Sequence, residues 1–396
     1  MSLKKYRVLR FLSLLLFFSN SLHAQVGVGT ATPQAFFNVA EGKDVLFGND
    51  VTSSGTKLSW IPSKAAFRVG SVTATLWNPS NVGDHSFAFG QDGEATGVYS
   101  VSMGLENQAS GKGAMAFGLN NKATLEGSVA MGKGNIATRP SAVAMGYNSS
   151  AYGDYAIALG NNAQAAGNNS VSLGETAMSI GNNSIAIGRY TYATGDYSVA
   201  LGSNVYTNLK KGSFAFGDAT QVANGDWLKN DLDNQMVMRF QNGYKLFTNY
   251  QATIGVLLEH GDNSWSVISD STRKENFRAV DGEVFLKKIS AMRLGSWNYK
   301  EQDAKIFRHY GPMAQDFFAA FGHDALGTIG QDKKINQSDF DGVNLIAIQA
   351  LIKEVNQLKE ELAAIKDEKS NTSARIDRIE IMLRERTSDA ALTSQH

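Results

Sequence analysis

Between residues 85 and 217, apolar and small residues alternate in a phrase that returns every fourteen positions. Ser86-Phe-Ala-Phe-Gly90 comes back as Ser100-Val-Ser-Met-Gly104, Ser128-Val-Ala-Met-Gly132, Ala156-Ile-Ala-Leu-Gly160, Ser184-Ile-Ala-Ile-Gly188 and Ser213-Phe-Ala-Phe-Gly217. The glycines that close it run from Gly90 through Gly132 and Gly174 to Gly217, with one extra residue before the last. A second column of small residues follows five places later, among them Ala95, Ala109, Ala137, Ser179, Ala193 and Thr207. Fourteen residues is too short for a helix pair and suits one coil of two short strands and two turns, so the pattern predicts a parallel β-solenoid. Strand alternation sends Phe87 and Phe89 to one face and Ser86 and Ala88 to the other. The apolar pairs, such as Val101/Met103, Val129/Met131 and Ile185/Ile187, are expected inside the coil. The small residues are expected where another backbone comes close, in the neighbouring coil or in a second chain. Glycine suits the sharp turn ending each strand, and Asn-Asn, Gly-Asp and Ser-Gly pairs suit the corners.

A coil with about two core residues buries too little area to offset the entropy of ordering it. Stacking helps along the axis, and rolls lying side by side would bury far more. At a strand spacing of about 4.8 Å, ten coils make a shaft on the order of 50 Å long. The S-x-A-x-G phrase at this period closely resembles the head of the YadA-like trimeric autotransporter adhesins, over about 85–217. The resemblance implies a left-handed parallel β-roll, a homotrimer, and a head exposed outside the cell.

After Asn234 the period is lost. Met236 to Phe240, Tyr244 to Phe247 and Ile254 to Leu258 are apolar runs that predict strands closing the rod. Next comes Ser269-Asp270-Ser-Thr-Arg-Lys274-Glu-Asn-Phe277. This phrase resembles the opening of the peptidase S74 family, the C-terminal intramolecular chaperone domain of phage endosialidases and tail fibres. The likeness continues through Leu294 to Tyr299, Arg308 to Asp316 and Asp341 to Asn344, covering about 269–365. The family's arginine usually stands three residues after the serine; here Thr272 holds that place and Arg273 comes one later. The resemblance implies a domain that assembles a trimeric fibre and then severs itself at the bond preceding the serine. It assigns Ser269 as nucleophile, Lys274 as base, Asp270 as a supporting group, and Ile268–Ser269 as the severed bond.

That chemistry is physically sound. A serine hydroxyl attacks well only when a neighbouring base removes its proton, and a desolvated lysine amine can do so. Five residues on a helix would place the two side chains roughly 140° apart, so the pair is expected to meet in a loop or across a subunit boundary. The closing segment carries heptads, with Ile348, Val355, Leu362, Lys369, Ile376 and Leu383 in one seam position. Leu351, Leu358, Ile365, Thr372 and Ile379 occupy the other. This predicts a coiled coil loosened at Lys369 and Thr372.

Composition sharpens the picture. The shaft holds 14 charged side chains in 133 positions, against 15 in 43 for residues 343–385. Lys4, Lys5, Arg7 and Arg10, the apolar run Phe11 to Phe18, and Leu22-His23-Ala24 read as a secretory signal peptide. No segment approaches the roughly 20 apolar residues of a membrane-spanning helix. The chain has no cysteine and a net charge of zero, which argues against a disulfide framework and against an electrostatic nucleic-acid partner. Its histidines lack ligand spacing, His309 is expected to be structural, and Asp154 and Asp196 are expected to form turns rather than bind calcium. No metal, cofactor or phosphate loop is expected.

The expected architecture is mostly β, in seven parts. A signal peptide (1–24) and an N-terminal β cap (25–84) precede the trimeric left-handed parallel β-roll solenoid (85–217) and a strand-rich neck (218–268). A small α+β chaperone domain (269–342), a coiled-coil helix (343–385) and a disordered tail (386–396) complete it. The expected function is that of a secreted, homotrimeric, adhesin-like surface fibre, able to take a glycan or other extracellular ligand, whose chaperone domain drives assembly and then cleaves itself. The alternatives are a tailspike-like fibre with glycan-degrading activity and a purely structural fibre.

Overall fold

A computed structural model describes residues 25 to 393 apart from 49, 51 and 221 to 226, and side chains as far as 387. The signal peptide expected at 1–24 and residues 394–396 of the expected tail lie outside the described residues. The rest divides into two compact units. One runs to Tyr244 and includes Leu258–Asn263; the other comprises Lys245–Leu257 and the chain from Ser264 onward.

The first unit is the predicted solenoid. From Phe87 to Ser179 each coil contributes a long strand of five residues and a short one of two, as in Val129–Lys133 and Ile136–Ala137, and the next two coils fuse the pair into Ile185–Ala193 and Val199–Tyr206. Long and short strands pair in parallel with their equivalents one coil away, Val129 with Val143, Gly132 with Gly146, and Ala137 with Ala151. Between the strands the chain turns through left-handed corners, one file running through Asn120, Asn148 and Asn162 and another through Tyr99, Tyr155, Asn183 and Tyr197. The first serine of the phrase locks the corner before it: Ser128 Oγ donates to the Leu125 carbonyl at 2.6 Å and Ser198 Oγ to that of Gly195 at 2.6 Å.

The interior overturns one expectation. The small residues point inward and the large apolar pairs point out. Ala116, Ala130, Ala144 and Ala158 of the long strands, with Ala109, Ala123, Ala137, Ala151 and Ala165 of the short ones, are wholly buried in one continuous core. Phe89, Met115 and Ile187 remain 49%, 42% and 39% exposed. Alternation fixes which residues share a face but not which face is inside. From Ala88 to Ala186 the buried strand positions hold only alanine and serine, with the larger Thr191 and Val205 following near the far end, so volume decides the matter.

The same closeness explains the glycine ladder. Gly132 has φ +116°, and a Cβ there would overlap the carbonyl oxygen of Gly146. Where the coil widens just beyond the glycine, asparagines fill it. Asn107, Asn121 and Asn135 are fully buried and one coil apart. Asn121 Nδ2 donates to Phe117 O at 2.9 Å, Gly132 O at 2.8 Å and Asn107 Oδ1 at 2.9 Å, while its Oδ1 accepts from Asn135 N at 3.0 Å. The ladder ends at Ser149, whose hydroxyl reaches Gly160 O at 3.0 Å.

The sheet extends beyond the repeats at both ends. The antiparallel hairpin Gly55–Ile61 and Ala66–Val72 joins it through parallel pairing of Phe67 with Phe87 and Arg68 with Ala88. Arg68 therefore occupies the inward, alanine-equivalent place of the first coil and is 1% exposed. Its guanidinium donates to the carbonyls of Ser86 and Ala95 and to the Ser86 hydroxyl, closing the end of the core. Burial pushes its pKa down to about 10, so it stays a cation at neutral pH. Trp77 closes the same end by donating to Gly93 O at 2.7 Å. At the other end Phe214 pairs with Met236, so the roll persists to Arg239, inside the segment expected as neck.

The second unit holds a three-stranded sheet (Tyr244–Phe247, Gly255–Leu258 and Ser266–Val267), helix α1 (Gly282–Ala291), helix α2 (Ala314–Phe321) and helix α3 (Gln337–Thr393). Phe317 and Phe321 of α2 form its aromatic centre with Phe285 of α1 and Phe340 of α3. Helix α3 continues to Thr393, past the 386 boundary where a disordered tail was expected. Gly132→Ala is expected to lower solenoid stability by at least about 2 kcal/mol through left-handed strain and overlap. Gly113→Asn, at a left-handed corner with open space around it, should stay within about 0.5 kcal/mol of wild type. Denaturant unfolding of both variants checks the contrast.

Candidate functional site

Beyond the sheet, the chain enters a single tight turn. Asp270 caps a 3-10 helix at Ser271–Arg273, and the backbone N–H of Lys274 returns to Ser271 O at 3.2 Å. The carboxylate of Asp270 is the template for the turn: Oδ1 accepts from Thr272 N at 2.9 Å and from Thr272 Oγ1 at 2.8 Å. An aspartate that bonds the backbone two residues on is a standard way to start such a turn.

The turn brings its ends together. Lys274 Nζ donates to Ser269 Oγ at 2.6 Å. The interval that would separate these side chains on a helix unites them here within one chain and one loop. Asp270, expected as a supporting group, is engaged instead by Thr272 and by Arg273, whose Nε lies 3.7 Å from Asp270 Oδ2. It shapes the turn rather than touching the dyad. Its backbone hydrogen bond from Thr272, then the Thr272 hydroxyl and the charge of Arg273, lower its pKa below the usual carboxylate value.

The acyl side of the Ile268–Ser269 bond is held separately. Val267 pairs antiparallel with Val256, and Ile268 N donates to Gly255 O at 3.4 Å. Ser269 and Lys274 are both exposed in the single chain. His309 accordingly takes a structural place, 3.2 Å from Gln302 Oε1 and stacked on Trp297 with ring centroids 4.7 Å apart. Asp196 accepts from Asn182 N at 2.8 Å at an exposed corner. Among the described residues no group of three or more His, Cys, Asp or Glu side chains could hold a metal ion. Likewise no helix among them is long and apolar enough to cross a membrane.

Two features escaped the sequence pattern: the Asn107–Asn121–Asn135 ladder and the Thr272–Asp270–Arg273 network. An asparagine three places after each of three successive glycines was the available signal for the first. An aspartate two residues before a threonine was the signal for the second.

Together these features describe a β-solenoid fibre segment followed by a small α+β domain that begins with a serine–lysine pair. Residues 269–325 match the model of the peptidase S74 family, described as chaperone of endosialidase. Residues 95–121, 109–135, 123–149, 137–163, 151–175 and 179–204 match the YadA head domain repeat. Comparison with curated proteins gives no match.

Because the folded pKa of Asp270 is lowered, its ionised form is favoured in the turn. The cap is therefore complete above the ordinary carboxylate pKa and is lost as pH falls through the lowered folded value. The Thr272 amide resonance is expected to report that transition in acid, and Asp270→Asn, which retains an acceptor without a titrating proton, should abolish it.

Proposed function

We propose that this protein is an exported, homotrimeric, adhesin-like fibre whose C-terminal domain assembles the trimer and then cuts itself away. The observation that carries assembly is the outward double file of apolar side chains. In one file Val101, Met115, Val129, Val143, Ile157, Val171, Ile185 and Val199 succeed one another; in the other Met103, Phe117, Met131, Met145, Leu159, Leu173, Ile187 and Leu201 do. The interior of the roll cannot accept them, so only another copy can cover so long a face. A second apolar line points the same way: Ile348, Leu351, Val355, Leu358, Leu362 and Ile365 of α3 all stand about half exposed. The number three rests on the match to YadA head repeats and to the endosialidase chaperone.

The cutting step follows from the 2.6 Å contact between Lys274 Nζ and Ser269 Oγ. The neutral amine takes the hydroxyl proton while Ser269 Oγ bonds to the carbonyl carbon of Ile268. The C–N bond then breaks, and the proton passes to the departing nitrogen of Ser269. This leaves Ile268 as an ester on the serine side chain. Water hydrolyses the ester, giving an Ile268 carboxylate and a Ser269 with free amine and restored hydroxyl. A neighbouring copy that covers the exposed dyad would make cleavage a check on assembly. The mature fibre would be residues 25–268 and the released part 269–396. Export rests on the N-terminal signal, and binding of a glycan or other extracellular surface is the purpose we assign to the shaft.

The full chain is expected to appear on denaturing gels as two fragments whose masses place the cut at Ile268–Ser269. Ser269→Ala and Lys274→Ala should each leave it whole. Processing of either variant at the wild-type rate would exclude the dyad. On the shaft, Met131→Glu sets like charges face to face across the association surface and spares the alanine core. Sedimentation should show the trimer weakened by at least about tenfold in association constant, roughly the 1.4 kcal/mol expected for one such repulsion.

A further inference from the structure

We propose that Arg273 is a positioning residue for self-cleavage, a strut that holds Ser269 against the carbonyl of Ile268. This proposal rests on the self-cleaving role given to the dyad. Its basis is the way one short segment, Thr253 to Gly255, grips both sides of the bond to be cut. On the acyl side, the carbonyl of Gly255 accepts from Ile268 N at 3.4 Å, and Val267 pairs with Val256 next to it. On the serine side, Arg273 Nη1 donates to the carbonyl of Thr253 at 3.4 Å. The same guanidinium presents Nε to Asp270, the residue that caps the turn joining Ser269 to Lys274. Through these contacts the turn is tied to the strand beside its own target.

The anchor is firm. Asn249 organises the bend before the strand, donating from Nδ2 to Thr253 Oγ1 at 2.7 Å. Its Oδ1 accepts from Thr253 N at 3.0 Å and Ile254 N at 2.9 Å. Thr253 is thus fixed at its amide and its hydroxyl while its carbonyl faces Arg273. A forked guanidinium can serve two acceptors at once, here a carboxylate and a carbonyl, which an ammonium does less well.

The place of this arginine also finds a use. With Thr272 one position earlier, the hydroxyl and amide of the threonine close the turn on Asp270, and the arginine is released to reach back to Thr253. Both jobs fall to neighbours in the chain. Attack by the serine on its own preceding carbonyl demands a particular torsion about Ser269, and misplacement by an ångström is costly in reactions of this kind. Arg273 touches no reacting atom, so its effect is on the fraction of chains poised to react.

The test follows splitting of newly made full-length chain by time-resolved denaturing gels after cell-free synthesis. Arg273→Ala and Arg273→Gln are expected to lower the rate constant about tenfold or more, and Arg273→Lys to restore part of it. Association and melting of the unsplit glutamine chain should match those of Ser269→Ala. Splitting of the glutamine variant within about twofold of wild type overturns the strut. If the alanine chain fails to assemble, the glutamine and lysine variants, which keep the stem, decide. Wild-type chain that never splits overturns self-cleavage itself, whereas a wild type that splits alongside unaffected Arg273 variants removes only the strut.

Discussion

The contact between facing alanine methyl groups governs this molecule. Two strands of one coil approach so closely that Ala130 and Ala137 fill the space between them, and the glycine ladder lets successive turns of backbone approach as closely along the axis. The large apolar pairs of the long strands then lie outside. The valines, methionines, leucines and isoleucines that would make a core in an ordinary domain become an outer surface instead. A fold with its largest apolar residues on the outside leaves a long apolar face uncovered in the single chain, and the heptad face of α3 does the same in helical form.

Each unit is stabilised internally by its own physics. The roll is stabilised by repetition: each coil supplies the hydrogen-bond partners of the next, and the buried asparagines carry that continuity through the side chains. Its first end needs other means: Trp77 gives Gly93 O a donor, and Arg68 adds side-chain donors to the Ser86 and Ala95 carbonyls, which also accept from Phe67 N and Gly83 N. The C-terminal unit is a small domain with an aromatic centre, Phe285, Phe317, Phe321 and Phe340. Its serine–lysine loop owes its geometry to short-range contacts within Asp270 to Lys274 and to one longer reach, from Arg273 to Thr253.

Much of this was legible in the residues. The fourteen-residue period defined the coil and even its pairing, since Gly132 meets Gly146 as the ladder requires. The serine–lysine interval was equally plain. The direction of the faces was not, because alternation is symmetric between in and out. The missing consideration was volume: a five-residue strand facing a two-residue strand leaves no room for Val129 and Met131 together. The partners of Asp270 were not plain either: an aspartate at the start of a turn is drawn first to the amide two residues on, and Thr272 supplies both that amide and a hydroxyl. The reach of Arg273 depends on a bend built by Asn249, more than twenty residues earlier, and no local pattern discloses it.

The alanine bore has a consequence for how such a protein can change. Every turn stands the same distance from the last, so the shaft is a ruler graduated in steps of about 4.8 Å. Duplicating or deleting one fourteen-residue unit would lengthen or shorten it by one graduation while leaving both ends and every other contact as they were. Reach from a surface can thus be adjusted by copying DNA in multiples of one coil, with no new interior to invent.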